Sequence, residues 1–182
     1  VGGPDGQLAK YDNQVVVFQA PVWKGINHCR VPWYPDLKDG TLVGWLSRRQ
    51  NVTPKYLYSK GLKKSKVLFG QDLINEPTDF VCITEGSLDT MWLDQNGFSS
   101  VALLGAHLSL TQQDLAMKLP IKELVLCLDN DDAGRVGLEK AMTCLQPKVM
   151  VSYIKLPKEY KDVQDVRDRE LLASIIEQRT FL

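Results

Sequence analysis

From residue 81 onward, apolar residues arrive in short unbroken runs separated by segments of helical period. Val81-Cys82-Ile83-Thr84, Val101-Ala102-Leu103-Leu104, Leu124-Val125-Leu126-Cys127-Leu128 and the stretch 149–154 predict four strands. The intervening segments predict helices over 87–96, from Thr111 to a stop before Pro120, over 133–145 and over 166–178. Gly97 stands where a helix C-terminus favours glycine, and Thr111 with Asp114 resembles a capping box. Strands apolar on both faces, alternating with helices, imply a parallel sheet covered on both sides. The first third of the chain has a different rhythm. Val15-Val16-Val17-Phe18 predicts a strand, and Lys38-Asp39-Gly40 predicts a hairpin turn before Leu42-Val43-Gly44-Trp45-Leu46. Pro54 and Gly61 bound a basic loop or short ribbon. The expected architecture is α/β: a parallel sheet flanked by helices over 77–182, preceded by a mixed α/β lobe over 1–76.

Charge sharpens that division. The net charge is zero, yet residues 1–70 carry +7 and residues 71–182 carry −7. No acid lies between Asp39 and Asp72, while Arg48, Arg49, Lys55, Lys60, Lys63, Lys64 and Lys66 all do. Such a run attracts phosphates, and Trp45, Tyr56 and Tyr58 could stack on bases; a solvated face, with Trp45 and part of Tyr56 in the core, is the plainer reading of the same stretch. The 182 residues fit one domain or two small lobes. No apolar run approaches the roughly 20 residues that span a bilayer, and the first ten residues lack the pattern of a signal peptide. Opening on Val1 is what a piece of a longer protein, a tag or natural processing would each give. Cys29, Cys82, Cys127 and Cys144 form no C-x-x-C pair, which argues against a zinc site and favours a reducing, cytoplasmic setting. Cys82 and Cys127 fall inside apolar strands, as small hydrophobes.

Acidic residues mark the chemistry. In sheets of this kind, sites form at the carboxyl ends of strands. Glu85 directly follows the first predicted strand of the sheet, and Asp129, Asp131 and Asp132 directly follow the third. Asp89 lies one helical turn beyond Glu85, and Gly86 and Gly134 allow tight backbone beside the acids. Gathered carboxylates repel one another, and a hard divalent ion such as Mg²⁺ relieves that strain with oxygen ligands. The plainer alternative is a set of helix caps and solvated loop acids. Arg135 is expected to pair with Asp132, Trp92 to pack its helix on the sheet, and His107 to lie in a surface loop; His28 has no evident role.

These residues carry a resemblance. Glu85-Gly86-Ser87-Leu88-Asp89 resembles the E-G-x-x-D segment of Toprim domains, and Asp129-Asn130-Asp131-Asp132-Ala133-Gly134-Arg135 resembles their D-x-D-x-A-G-R segment. Lys161-Asp162-Val163-Gln164-Asp165 is similar to the K-D-x-N-E stretch of many primases. Ahead of them, Arg30-Val31-Pro32-Trp33-Tyr34-Pro35-Asp36, Gly44-Trp45-Leu46-Ser47-Arg48, Pro54-Lys55-Tyr56-Leu57-Tyr58-Ser59 and Lys63-Lys64-Ser65-Lys66-Val67-Leu68-Phe69-Gly70 resemble the RNA-polymerase lobe of bacterial and phage replicative DNA primases. The sequence departs from the pattern at Gln164, Asp165 and Ala106.

The resemblance implies a Toprim-type sheet and template-directed synthesis of short RNA primers on single-stranded DNA from ribonucleoside triphosphates. It implies two or more Mg²⁺ or Mn²⁺ ions, with no zinc in this stretch of chain. Glu85 would be the catalytic carboxylate and a metal ligand, Asp129 and Asp131 metal ligands, and Asp89 and Asp162 supporting ones. Arg30, Arg48, Lys55, Lys64 and Lys66 would hold template phosphates or the incoming nucleotide. A replicative helicase and a zinc-binding domain outside this chain are the implied partners, in a bacterial or phage-infected cytoplasm, with no membrane. Other readings of the same acids are a Toprim nuclease, a non-catalytic nucleic-acid or nucleotide-binding module and, last, a phosphate-accepting receiver domain.

Overall fold

The structure is a computed structural model. It describes residues 53–54, 56–58, 60–145 and 149–181, together with the backbone of four strands at 8–10, 16–23, 26–33 and 44–49. The expected turn at Lys38-Asp39-Gly40 lies outside the described residues. The chain divides into two compact units, Val1–Lys63 and Lys64–Leu182.

The first unit is an antiparallel sheet in sequence order: β1 (Leu8–Lys10), β2 (Val16–Trp23), β3 (Ile26–Trp33), β4 (Gly44–Arg49) and β5 (Tyr56–Tyr58). The β3–β4 register pairs Cys29 with Arg48 and Arg30 with Ser47. Among its described residues the unit contains strands and turns and no α-helix.

The second unit is the expected α/β sheet. Its strands are β6 (Thr78–Thr84), β7 (Ser100–Ala102), β8 (Ile121–Cys127), β9 (Met150–Tyr153) and β10 (Thr180–Phe181), arranged as β10-β9-β8-β6-β7. All neighbours are parallel except β10, which returns antiparallel along β9. Side chains alternate between the faces, as a strand requires. Val81, Ile83, Leu124, Leu126 and Val151 face a core closed by α2 (Leu110–Ala116) and α3 (Asp132–Leu145). Cys82, Val125 and Cys127 face the opposite core, closed by α1 (Ser87–Gln95) and α4 (Arg169–Glu177). Each fully buried aliphatic side chain contributes about 1.5–3 kcal/mol, so two such faces account for the unit's cohesion. Trp92 packs from α1 onto the second core and donates its ring N–H to the Val166 carbonyl at 3.1 Å.

Three local expectations change. The capping box of α2 is Ser109 with Gln112, not Thr111 with Asp114: the Gln112 amide donates to Ser109 Oγ at 3.1 Å, and the Ser109 amide to Gln112 Oε1 at 3.0 Å. Gln has the reach to return to the cap amide, and Thr111 lies inside the helix. The last helix begins at Arg169 rather than 166, because Val163–Asp165 forms a separate 3₁₀ turn capped by Asp162 and Asp168 caps α4. The basic stretch Lys64–Lys66, a 3₁₀ turn, belongs to the second unit, so the division falls ahead of the expected junction after residue 76.

The attachment of that stretch is explicit. Phe69 and Ala102 exchange two main-chain hydrogen bonds of 3.0 Å, which closes the β7 edge of the sheet. The buried Gln112 side chain donates to the carbonyls of Lys64, Val67 and Leu103 at 3.1, 3.0 and 2.8 Å. Ser109 donates its hydroxyl proton to the Ser65 carbonyl.

Candidate metal centre at the carboxyl ends of β6 and β8

Counted from its own first strand, the second sheet runs 2-1-3-4-5, and ligand sites in such sheets fall where the chain's direction across the sheet reverses, between strands 1 and 3. Here those strands are β6 and β8. Glu85 leaves the end of β6 and Asp129 follows the end of β8. The Asp129 backbone amide donates to Glu85 Oε1 at 3.2 Å, so the two acids meet at the reversal point.

Tight backbone makes the meeting possible. A Cβ on Gly134, in the first turn of α3, would stand 1.9 Å from the Asp129 carbonyl oxygen and 3.1 Å from Glu85 Oε1. Only a bare Cα lets the helix descend onto both acids. A Cβ on Gly86 would stand 2.6 Å from Asp89 Oδ2, so this glycine leaves room for the Asp89 carboxylate to fold back over the turn. Beneath them Thr84, fully buried, donates to the Gly86 carbonyl at 3.0 Å and shares a 2.7 Å hydrogen bond with Thr90. On the β7 side the Gly105 amide donates to the Glu85 carbonyl at 3.2 Å, and Leu104 beside it adopts a positive φ of 59°. His107, further along this loop, is exposed as expected.

A second loop arrives from β9. Lys161 places its ammonium 3.2 Å from Asp129 Oδ2, and its carbonyl accepts from the Asn130 amide at 2.7 Å. Asp131 accepts at Oδ1 from the Gly134 amide at 2.9 Å, which makes it a cap for α3. Arg135 pairs with Asp132, as the sequence predicts.

The carboxylates feel one another. Burial, then the charge of Asp129 and further off Asp131, hold the Glu85 carboxyl above its ordinary value, although the Asp129 amide and Lys161 pull the other way. Asp129 is raised by burial and by Asp162 and Asp131, despite its Lys161 partner. Burial, with Asp162 and Asp129 adding to it, pushes Asp89 up to about 7. Negative charge is therefore concentrated here beyond what one lysine offsets.

Of the acids singled out in the sequence, Asp129 is the one the others share: its charge acts on Glu85 and Asp89, and those of Asp131 and Asp162 act on it. Among the described residues no three His, Cys, Asp or Glu side chains form a closed ligand set. Glu85, Asp129 and Asp131 each have one oxygen engaged by an amide or ammonium. The donor set nonetheless fits a hard divalent cation, being all carboxylate and short of positive charge. Lys64 and Lys66 are exposed on their 3₁₀ turn. Arg30 and Arg48 lie on β3 and β4, but their side chains, and all of Lys55, fall outside the described residues. Sequence reasoning missed Lys161 as a partner of Asp129; the K-D step of its third motif was the available signal.

A family model described as Toprim-like matches residues 82–167, the stretch that brings the carboxylates together at the sheet's reversal point. The chain carries a Toprim domain related to the catalytic core of DnaG-type primases. The DNA primase of Thermotoga maritima is 32% identical over 66% of this chain and 22% of its own length. An uncharacterised protein of Mycoplasma pneumoniae, the MG010 homologue, is 31% identical over 66% of this chain and 59% of its own. The structure of the Aquifex aeolicus primase zinc-binding and RNA polymerase domains aligns with a TM-score of 0.69 at 28% identity, over 94% of this chain and 45% of that one. The chain thus spans only part of each of these proteins. No helix among the described residues is long and apolar enough to cross a membrane.

Proposed function

We propose that this chain is a primase catalytic core that synthesises short RNA primers on single-stranded DNA by divalent-metal-dependent nucleotidyl transfer. One observation carries the reading: Glu85 and Asp129 meet, joined by a 3.2 Å hydrogen bond, at the reversal point of a Toprim sheet. The similarity to the Thermotoga maritima primase supports the choice among Toprim activities.

Glu85, Asp129 and Asp131 would hold two Mg²⁺ or Mn²⁺ ions, with Asp89 and Asp162 supporting them. Ions so held would activate a 3′-hydroxyl and stabilise charge on the pyrophosphate leaving group. The chain's own residues do the rest by placement. Glu85, at the reversal point beside Asp129, is the carboxylate we assign to take the proton of the attacking hydroxyl. Asp162, and Asp89 once it has lost its proton, would add to the negative potential that draws cations in. Lys64 and Lys66, fixed to α2 through the Gln112 and Ser109 bonds to their turn, would meet phosphates of template or nucleotide, and Arg30, Arg48 and Lys55 would do so from the first unit. We assign a zinc-binding template reader and a replicative helicase to parts outside this chain.

The test is a gel assay with single-stranded DNA, the four ribonucleotides and Mn²⁺. Wild type should give short RNA products, and Glu85→Gln and Asp129→Asn should each abolish them while circular dichroism shows the fold retained. Full-length product from either variant would remove the assignment. DNA cleavage in place of RNA synthesis would transfer the site to a Toprim nuclease.

A further inference from the structure

Asn130 lies between the two aspartates of the β8 loop, and the chemistry above does not use it. Its backbone amide donates to the Lys161 carbonyl at 2.7 Å. Its side-chain Nδ2 lies 3.4, 3.3 and 3.2 Å from the carbonyl oxygens of Leu156, Pro157 and Tyr160. Two amide hydrogens are thus shared among three acceptors, all in one loop, converging on one side chain from another loop. The fastened loop carries Lys158 and Lys161, with Lys155 just ahead of it, all exposed, and runs directly into Asp162. Two further bonds close its end: the Lys161 amide to Asp165 Oδ2 and the Asp165 amide to Asp162 Oδ1, each 3.0 Å. A segment without helix or strand keeps one conformation only when such ties offset its chain entropy.

We propose that Asn130 is a positioning residue that fastens the Leu156–Lys161 loop to the chain between Asp129 and Asp131, and so sets where Lys161 and Asp162 stand beside the carboxylate cluster. The inference rests on the reading of the cluster as a divalent-ion site and deepens it. Its geometry is that of an outer-shell partner: a residue flanked by two proposed ligands holds the loop that delivers another. The side chain, rather than the backbone bond, provides the span from Leu156 to Tyr160.

Asn130→Ala removes the side-chain ties and keeps the backbone bond. In the metal-free full chain, limited trypsin digestion should cut after Lys155, Lys158 and Lys161 several-fold faster than in wild type, while the urea midpoint stays near the wild-type value. Mn²⁺ titration is read in a Lys161→Met background, which removes the ammonium that competes for Asp129. There Asn130→Ala should weaken Mn²⁺ binding about tenfold, the size seen for outer-shell partners. Unchanged loop cleavage, or unchanged Mn²⁺ affinity in that background, overturns the proposal. Cleavage that rises throughout the chain together with a lowered urea midpoint also overturns it, since that is the mark of a merely structural residue. Neither readout needs turnover. A wild-type chain that binds Mn²⁺ but makes no primer would end the polymerase reading and leave this inference standing; one without Mn²⁺ affinity removes both.

Discussion

Replacing Gly134 by Ala separates helix chemistry from site geometry. In an exposed helix interior the change would stabilise the chain by about 1 kcal/mol. Here the added Cβ falls 1.9 Å from the Asp129 carbonyl oxygen, where ordinary contact begins near 3.4 Å. Either the start of α3 or the Asp129 loop must retreat by more than an ångström. Strain of that kind costs about 1–3 kcal/mol, so the propensity gain offsets part of it and the fold survives with a net loss of about 0–2 kcal/mol. The carboxylates fare worse. The retreat breaks the 2.9 Å bond from the Gly134 amide to Asp131 and moves Asp129 relative to Glu85. A misplacement of about 1 Å costs roughly 10²-fold in a catalytic arrangement, or about 2.7 kcal/mol. Urea unfolding and primer synthesis, measured on the same preparation, should therefore diverge: a modest fall in stability beside a hundredfold loss of product, with weakened Mn²⁺ binding. A Gly134→Ala chain that is more stable than wild type and equally active would refute the close approach of α3 to the acids.

Two further outcomes follow from buried charge. Arg179 forms a two-pronged ion pair with Glu123, Nε to Oε1 at 2.7 Å and Nη2 to Oε2 at 2.9 Å, and Ser152 also bonds the same carboxylate. Arg179→Met strands Glu123, a side chain only 5% exposed, and should cost about 3–5 kcal/mol in urea unfolding; a loss below about 1 kcal/mol would show the pair to be solvated. Burial works against the Glu123 charge, but Arg179 and Ser152 more than offset it and hold the carboxyl below its ordinary 4.5. The pair's stabilisation is therefore complete above that value and lost as pH falls through the lower folded one, a loss absent from Arg179→Met. Asp89 has the opposite sign. Its folded value of about 7 against 3.8 for the free side chain means the folded chain binds the extra proton, so metal-free wild type should lose stability as pH rises from about 4 to about 7. Asp89→Asn should flatten that slope, leaving the same-signed shares of Asp72, which burial raises to about 6, and of the likewise raised Glu85 and Asp129; an unaltered slope would place Asp89 in solvent.

What the sequence revealed was local. The strands of the second sheet were legible because both faces are buried, which leaves runs such as Leu124–Leu128 apolar throughout. The acids were legible because they follow those runs directly. Contacts spanning long separations were not. Gln112 joins Lys64 across 48 residues, and no short-range pattern marks an interior glutamine that serves three carbonyls. Lys161 meets Asp129 only because the loop after β9 folds back, and a lysine beside an aspartate in sequence reads as an ordinary surface pair. The two-residue strand β10 is too short for an alternating pattern to register. The α2 cap was misplaced because two overlapping four-residue patterns compete there, and side-chain reach chose between them.

The strap formed by Lys64 to Gly70 bears on how this chain can be divided. A fragment cut at residue 77, where the alternating pattern starts, would open the β7 edge by losing the Phe69 exchange with Ala102. It would also leave Gln112 inside with one of its three carbonyl partners. Unpaired strand edges invite pairing between copies, so such a fragment should aggregate. Beginning at Lys64 keeps the margin sealed and carries the cationic turn along with the acids. Any exchange of this unit between proteins would be expected to move both together.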